Sequence, residues 1–159
     1  MITLEQIKER LLEGEQIEKI IGGIDWKEFE ELVSKILKKH DFEIHHNFRF
    51  KTNRRYEIDI LAVKKKILLA IDCKKWGRGR HKKTGLKYAI LDQKERVKQL
   101  KKFLKNNLLA KSKLKISKKV KFIPLIITWF EEDLIEHENA FIVPVWKFNS
   151  FLLNLSEYI

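Results

Sequence analysis

Residues 56–75 read YEIDILAVKKKILLAIDCKK, and the fold turns on how this stretch is divided. Tyr56 to Val63 and Lys66 to Lys75 are two strand-like segments joined by Lys64-Lys65, a connection short enough for a hairpin. Ile67 to Ile71 is apolar without a break, the pattern of a strand buried on both faces in the middle of a helix-covered sheet. Two acids interrupt these segments: Asp59 lies between Ile58 and Ile60, and Asp72 between Ile71 and Cys73, with Lys74 two residues further on. Strand alternation puts Asp72 and Lys74 on one face and turns Cys73 to the other, while Asp59 on the neighbouring strand can face the same side as Asp72.

Working outward, Asp25-Trp26-Lys27-Glu28 has the spacing of a capping box. Trp26, Phe29, Leu32, Val33, Ile36 and Leu37 then recur at three and four, which predicts a core helix running to about His40. A short helix is expected over Leu4 to Glu13 and a further strand over Phe42 to Phe50. Beyond the central stretch, a basic, glycine-containing loop leads into a helix from Leu86 to Asn107, with Leu91, Val97, Leu100, Phe103 and Leu104 as its apolar stripe. Val120 to Trp129 and Ala140 to Val145 read as strands, and a terminal helix is expected from Lys147. Pro124 cannot donate to a ladder, so it should begin its strand or sit where its nitrogen faces an edge or bulge. The expected fold class is α/β, with a central mixed sheet flanked by helices. Its first three strands are antiparallel, and the fourth is parallel to the third through a crossover helix.

The chain has 159 residues, one cysteine and a formal charge of +12. From Lys64 to Lys121 there are 22 Lys or Arg against three acids, a local excess of 19 positive charges that points to a polyanionic partner. The longest apolar runs are far too short to span a bilayer, and MITLEQIKER is not an apolar leader, so no membrane association and a cytoplasmic location are expected. A lone Cys73 rules out an intrachain disulfide and a cysteine-based zinc site. Gly77 to Thr84 resembles a phosphate loop only superficially, because Lys82 stands where a glycine must let the backbone approach the phosphates. The same loop suits phosphate gripping by Arg78, Arg80, His81, Lys82 and Lys83, beside Lys75. His45 and His46 point to opposite faces of a strand, which argues against a shared metal ion.

Carboxylates crowded at a sheet surface repel one another and lose solvation unless a cation joins them. Mg²⁺, a hard ion satisfied by one or two carboxylates plus waters and phosphate oxygens, suits that role, and Mn²⁺ can substitute. A nearby ammonium can orient a nucleophile or stabilise developing negative charge, so the set fits phosphodiester hydrolysis. The plain structural alternative is an Asp59–Lys74 ion pair at a sheet surface, with Asp72 merely ending a strand.

Ile58-Asp59 followed by Asp72-Cys73-Lys74 resembles the PD-(D/E)XK nuclease signature, with Ile in place of its proline. The helix Trp26-Lys27-Glu28-Phe29-Glu30-Glu31-Leu32-Val33 is similar to the first helix of the branch containing Mrr-type restriction enzymes and archaeal Holliday-junction resolvases. The resemblance implies a restriction-endonuclease-like αβββαβ core over residues 25–129. Residues 1–24 are then an N-terminal helical extension and 130–159 a C-terminal strand and helix of the same domain. It further implies a DNA endonuclease in which Glu30, Asp59 and Asp72 bind the metal, with Glu31 or Glu28 as stand-ins for Glu30. The same resemblance implies the Cys73 carbonyl as a further ligand and Lys74 as the group acting on the attacking water or the transition state. Relatives of this kind often act as homodimers. A non-catalytic nucleic-acid-binding module on the same basic surface is the rival function.

Overall fold

The computed structural model describes residues 2–75, 82–129 and 136–159, without the side chains of Ile21, Lys82 and Lys83. Asp25 caps α3 (Trp26–Lys39): its side chain accepts from the Glu28 N–H, and the Glu28 side chain accepts from the Asp25 N–H. Phe29, Leu32, Val33, Ile36 and Leu37 form the buried stripe that the three-and-four spacing requires. Ahead of α3 lie α1 (Leu4–Leu12), where a short helix is expected, and α2 (Ile17–Gly22).

After α3 the chain makes β1 (Glu43–Lys51), β2 (Arg55–Lys64) and β3 (Ile67–Lys74), an antiparallel meander, then α4 (Lys82–Lys105). A short α5 (Leu108–Lys113) occupies the lysine-rich connection to β4 (Lys121–Thr128). Then come β5 (Glu136–His137), β6 (Ala140–Pro144), α6 (Val145–Leu153) and α7 (Leu155–Tyr158). The six strands form one mixed sheet in the order β1-β2-β3-β4-β6-β5, with β4 parallel to both β3 and β6. Central β3 is buried along Leu68–Cys73, as its unbroken apolar run requires.

Helices cover both faces. Phe29, Leu37 and Phe148 pack with Ile60, Leu69, Ile71, Cys73, Leu125 and Ile127 on one side. On the other, Val97, Leu100 and Leu104 of α4 pack with Leu61, Leu68 and Ala70, and Leu86 and Ile90 pack with Ile126 and Ile142. The stripe of α4 therefore runs through Ile90. Leu91, expected within it, is 48% exposed, because a 24-residue helix keeps one face inward only at strict three-and-four spacing from Leu86. Pro124 pairs with Ala70 in mid-strand, but the ladder to β6 begins only at Leu125, so the proline lies beside an unladdered stretch.

Candidate active site

The β2–β3 ladder is the scaffold of the site. It runs from Lys64↔Ile67 to Ile60↔Ile71 and stops there. One further step of the same register sets Asp59 opposite Asp72, and the Cys73 N–H donates to Asp59 Oδ2 at 2.9 Å. The carboxylate thus takes a backbone donor at the point where strand pairing ends, which satisfies a group that would otherwise be costly to bury.

Simple alternation does not carry through β2. Ile60 and Ala62 pack under α3 whereas Tyr56 and Ile58 pack under α4, so the strand exchanges faces at Asp59. β1 makes the same exchange between Ile44 and Phe48, around Asn47, which adopts φ 47° in the left-handed region that Asn tolerates better than most residues. The β1–β2 register includes His46↔Ile60 and Phe48↔Ile58 but omits the intervening pair, Asn47 and Asp59. Asp59 sits at this crossover, where the Cys73 N–H, Asp72 and Glu30 all act on it.

Asp72 and Lys74 do share a face, as alternation requires: Lys74 Nζ lies 3.0 Å from Asp72 Oδ2. Asp72 is 5% exposed, and its Oδ2 has no well-directed hydrogen bond despite the nearby ammonium. Asp59 and Asp72 stand close enough to share a hydrogen bond, so the two acids face a common point. Burial, then the Asp72 charge, push the Asp59 carboxyl up to about 6, with Glu30 adding a smaller push and the Cys73 N–H opposing it. Burial likewise raises the Cys73 thiol, and the charges of Asp59, Glu30 and Asp72 raise it further. The Cys73 side chain lies in the core under α3, away from Asp72 and Lys74.

Of the α3 glutamates, Glu28 is held in the cap, and Glu30 is the one whose charge acts on Asp59 and Cys73. Glu30 is half-buried next to Phe29, whose ring packs on Trp129 at 4.8 Å. Among the described residues, no three His, Cys, Asp or Glu side chains are grouped closely enough to hold a metal ion by themselves. The carboxylates that act most strongly on one another are therefore two, Asp59 and Asp72, and Glu30 acts on Asp59 more weakly through its charge. Two carboxylates, one with an oxygen buried and short of donors, still fit Mg²⁺, which completes its octahedron with waters and phosphate oxygens.

α4 supplies two residues that the sequence stripe conceals. Gln93, fully buried, donates through Nε2 to the Ala70 carbonyl at 2.7 Å. Its Oε1 accepts from Arg96 Nη1 at 3.1 Å, and the same guanidinium nitrogen lies 3.6 Å from Asp72 Oδ1. The signal was present in the sequence: Gln93 occupies a position of the Leu86, Ala89, Ile90, Val97, Leu100 stripe where an apolar residue is expected. Further along, Gln99 accepts from Thr52 Oγ1 at 2.6 Å, tying the β1–β2 turn to α4.

Among the predicted phosphate-gripping residues, Arg78, Arg80 and His81 lie outside the described residues, as do the side chains of Lys82 and Lys83. Lys75 is exposed, with its Nζ donating to the Ile24 carbonyl at 2.6 Å and lying 4.6 Å above the Trp129 ring. His45 is half-buried beside Glu43 while His46 meets Ser34 Oγ at 3.2 Å, so the two histidines do point apart.

Helix, antiparallel meander, helix and parallel strand in this order, with paired acids where the central ladder ends, define an α/β domain of the nuclease-related kind. The chain belongs to the nuclease-related domain family, NERD, whose model matches residues 25–129. It is 29% identical over 135 residues to an uncharacterized protein of Archaeoglobus fulgidus, covering 84% of this chain and 94% of that one. A crystal structure of a protein of unknown function, AF1548, aligns with a TM-score of 0.36 at 19% identity over 76% of this chain and 51% of that one. Protein VC1899 from Vibrio cholerae aligns with a TM-score of 0.37 at 14% identity over 99% of this chain and 36% of that one. The chain thus spans about half of the former structure and about a third of the latter.

Proposed function

We propose that this protein is a Mg²⁺-dependent endonuclease that hydrolyses phosphodiester bonds in DNA, of the structure-selective or restriction type. The observation that carries the reading is the meeting of Asp59 and Asp72, from adjacent strands, at one buried point with the Lys74 ammonium 3.0 Å from Asp72. Asp59, Asp72 and the Cys73 carbonyl would hold the metal, and Glu30 would reach it through a bound water. When bound, the ion polarises the scissile phosphate and lowers the pKa of a coordinated water. Lys74, already beside Asp72, would be released to orient the attacking water and to stabilise charge on the phosphate oxygens. Arg96, held by Gln93 near Asp72, would keep that carboxylate oriented. The basic run 64–121 supplies the phosphate affinity. In its Glu30 helix and its Asp72-Cys73-Lys74 strand the chain resembles the Mrr and resolvase branch of such enzymes, which favours that branch for the proposed activity.

The test is cleavage of supercoiled, linear and branched DNA with Mg²⁺, with Mn²⁺ and with EDTA, by wild type and Asp72→Ala. Metal-dependent cutting that falls at least a hundredfold in the variant, with DNA binding kept, is the expected outcome. Binding without cutting by the wild type would make the protein a nucleic-acid-binding module instead.

A further inference from the structure

Apart from the acid pair, an open groove of about 820 Å³ lies between α4 and the first residues of β4. Lys94, Lys98 and Lys101 line one wall at i, i+4 and i+7, and Lys121 lines the other, with Val97 and Phe122 as the apolar floor. Lys94 is paired with Glu138, and Lys98 is 3.8 Å from Glu95. Lys101 lies over the Phe122 ring at 5.3 Å. Among the described residues no carboxylate lies within ion-pair distance of Lys101 or Lys121. Glu138 lines the groove and offsets Lys94, which leaves Lys101 and Lys121 as its uncompensated charges, an arrangement that an entering anion stabilises.

We propose that this groove is a second nucleic-acid contact that grips the phosphate backbone of a duplex arm running away from the Asp59–Asp72 pair; the proposal rests on the endonuclease reading above. Three features select this occupant. The α4 wall of the groove stands on the same face of the sheet as Asp72, because Leu68, Ala70 and Phe122 all pack under α4, while Lys121 and Ile123 close the groove from around the start of β4. Lys94 to Lys101 spans about 10 Å of helix at about 1.5 Å per residue, a length matched by about three successive phosphates of one strand. Asp72 is in register with Ile126, so Lys121 lies five residues back along β4. That is about 17 Å, or about five base pairs from the cut. The lysines thus extend the contact beyond the point where bonds are broken.

The experiment compares a 24-base-pair duplex with an 8-base-pair duplex, whose arms are about four base pairs and fall short of the groove. Fluorescence anisotropy of both is measured in EDTA over a range of salt, with wild type, with the triple variant Lys98→Gln, Lys101→Gln, Lys121→Gln, and with the matching triple arginine variant. The glutamine variant should bind the long duplex about tenfold more weakly or worse, and its slope of log K against log salt should be shallower by about two to three. It should bind the short duplex as wild type does, and the arginine variant should restore long-duplex binding. Equal long-duplex affinity and slope in wild type and glutamine variant would overturn the groove while leaving the cleavage assay untouched. A wild type that binds through the groove but never cuts with Mg²⁺ or Mn²⁺ would overturn the endonuclease reading alone. A wild type that binds neither duplex would overturn both.

Discussion

At Asp59 burial and a neighbouring acid hold the proton while a backbone N–H favours its release, and the first two prevail. The native carboxyl keeps its proton up to about pH 6, against 3.8 for an unperturbed aspartate. Across that window the native state binds more protons than the unfolded state, so stability from this group falls as pH rises through it. Metal-free wild type should therefore lose thermal stability between about pH 4 and pH 6 relative to Asp59→Asn, in which this slope is absent; parallel melting curves for the two would contradict the assignment. Because burial outweighs the Asp72 charge, Asp72→Asn should lower the Asp59 midpoint, read by carboxyl NMR, without returning it to 3.8.

Elements follow their residues closely where a periodic signal meets a cap, and less so elsewhere. α3 is legible because Asp25 and Glu28 mark its start and the apolar positions mark its face. Asp25→Ala should cost about 1 kcal/mol in urea denaturation, and a value near zero would mean that tertiary packing alone fixes the helix start. β3 is legible as an uninterrupted apolar run, and its Asp72–Lys74 face was readable from alternation. The exchange of faces at Asp59 was not, because it depends on a left-handed Asn47 in the partner strand, a pairing of distant residues. Gln93 and Arg96 were likewise concealed, since their role is defined by a carbonyl of β3 and a carboxylate of the same strand. Replacing Gln93 by Leu should leave the Ala70 carbonyl without its side-chain donor and cost about 1–3 kcal/mol, measured by chemical denaturation. Short α2 and α5 are not legible in the sequence, because six-residue helices carry too few turns for periodicity to show.

Among the described residues, one six-stranded sheet frames the site, and the acids lie where its β2–β3 ladder ends. No described helix is long and apolar enough to cross a membrane. Helices on both faces bury β3 and leave Asp72, the α4 residues beside it and the α4 lysines of the groove on a common side of the sheet. The central claim is that Asp59 and Asp72 form one seat for a divalent cation. Its most direct measurement is Mn²⁺ binding by electron paramagnetic resonance to wild type, Asp59→Asn and Asp72→Asn. Saturable binding by wild type, displaced by excess Mg²⁺ and weakened at least tenfold in each variant, is the predicted result. Binding that survives both substitutions, or no saturable binding by the wild type, would contradict it.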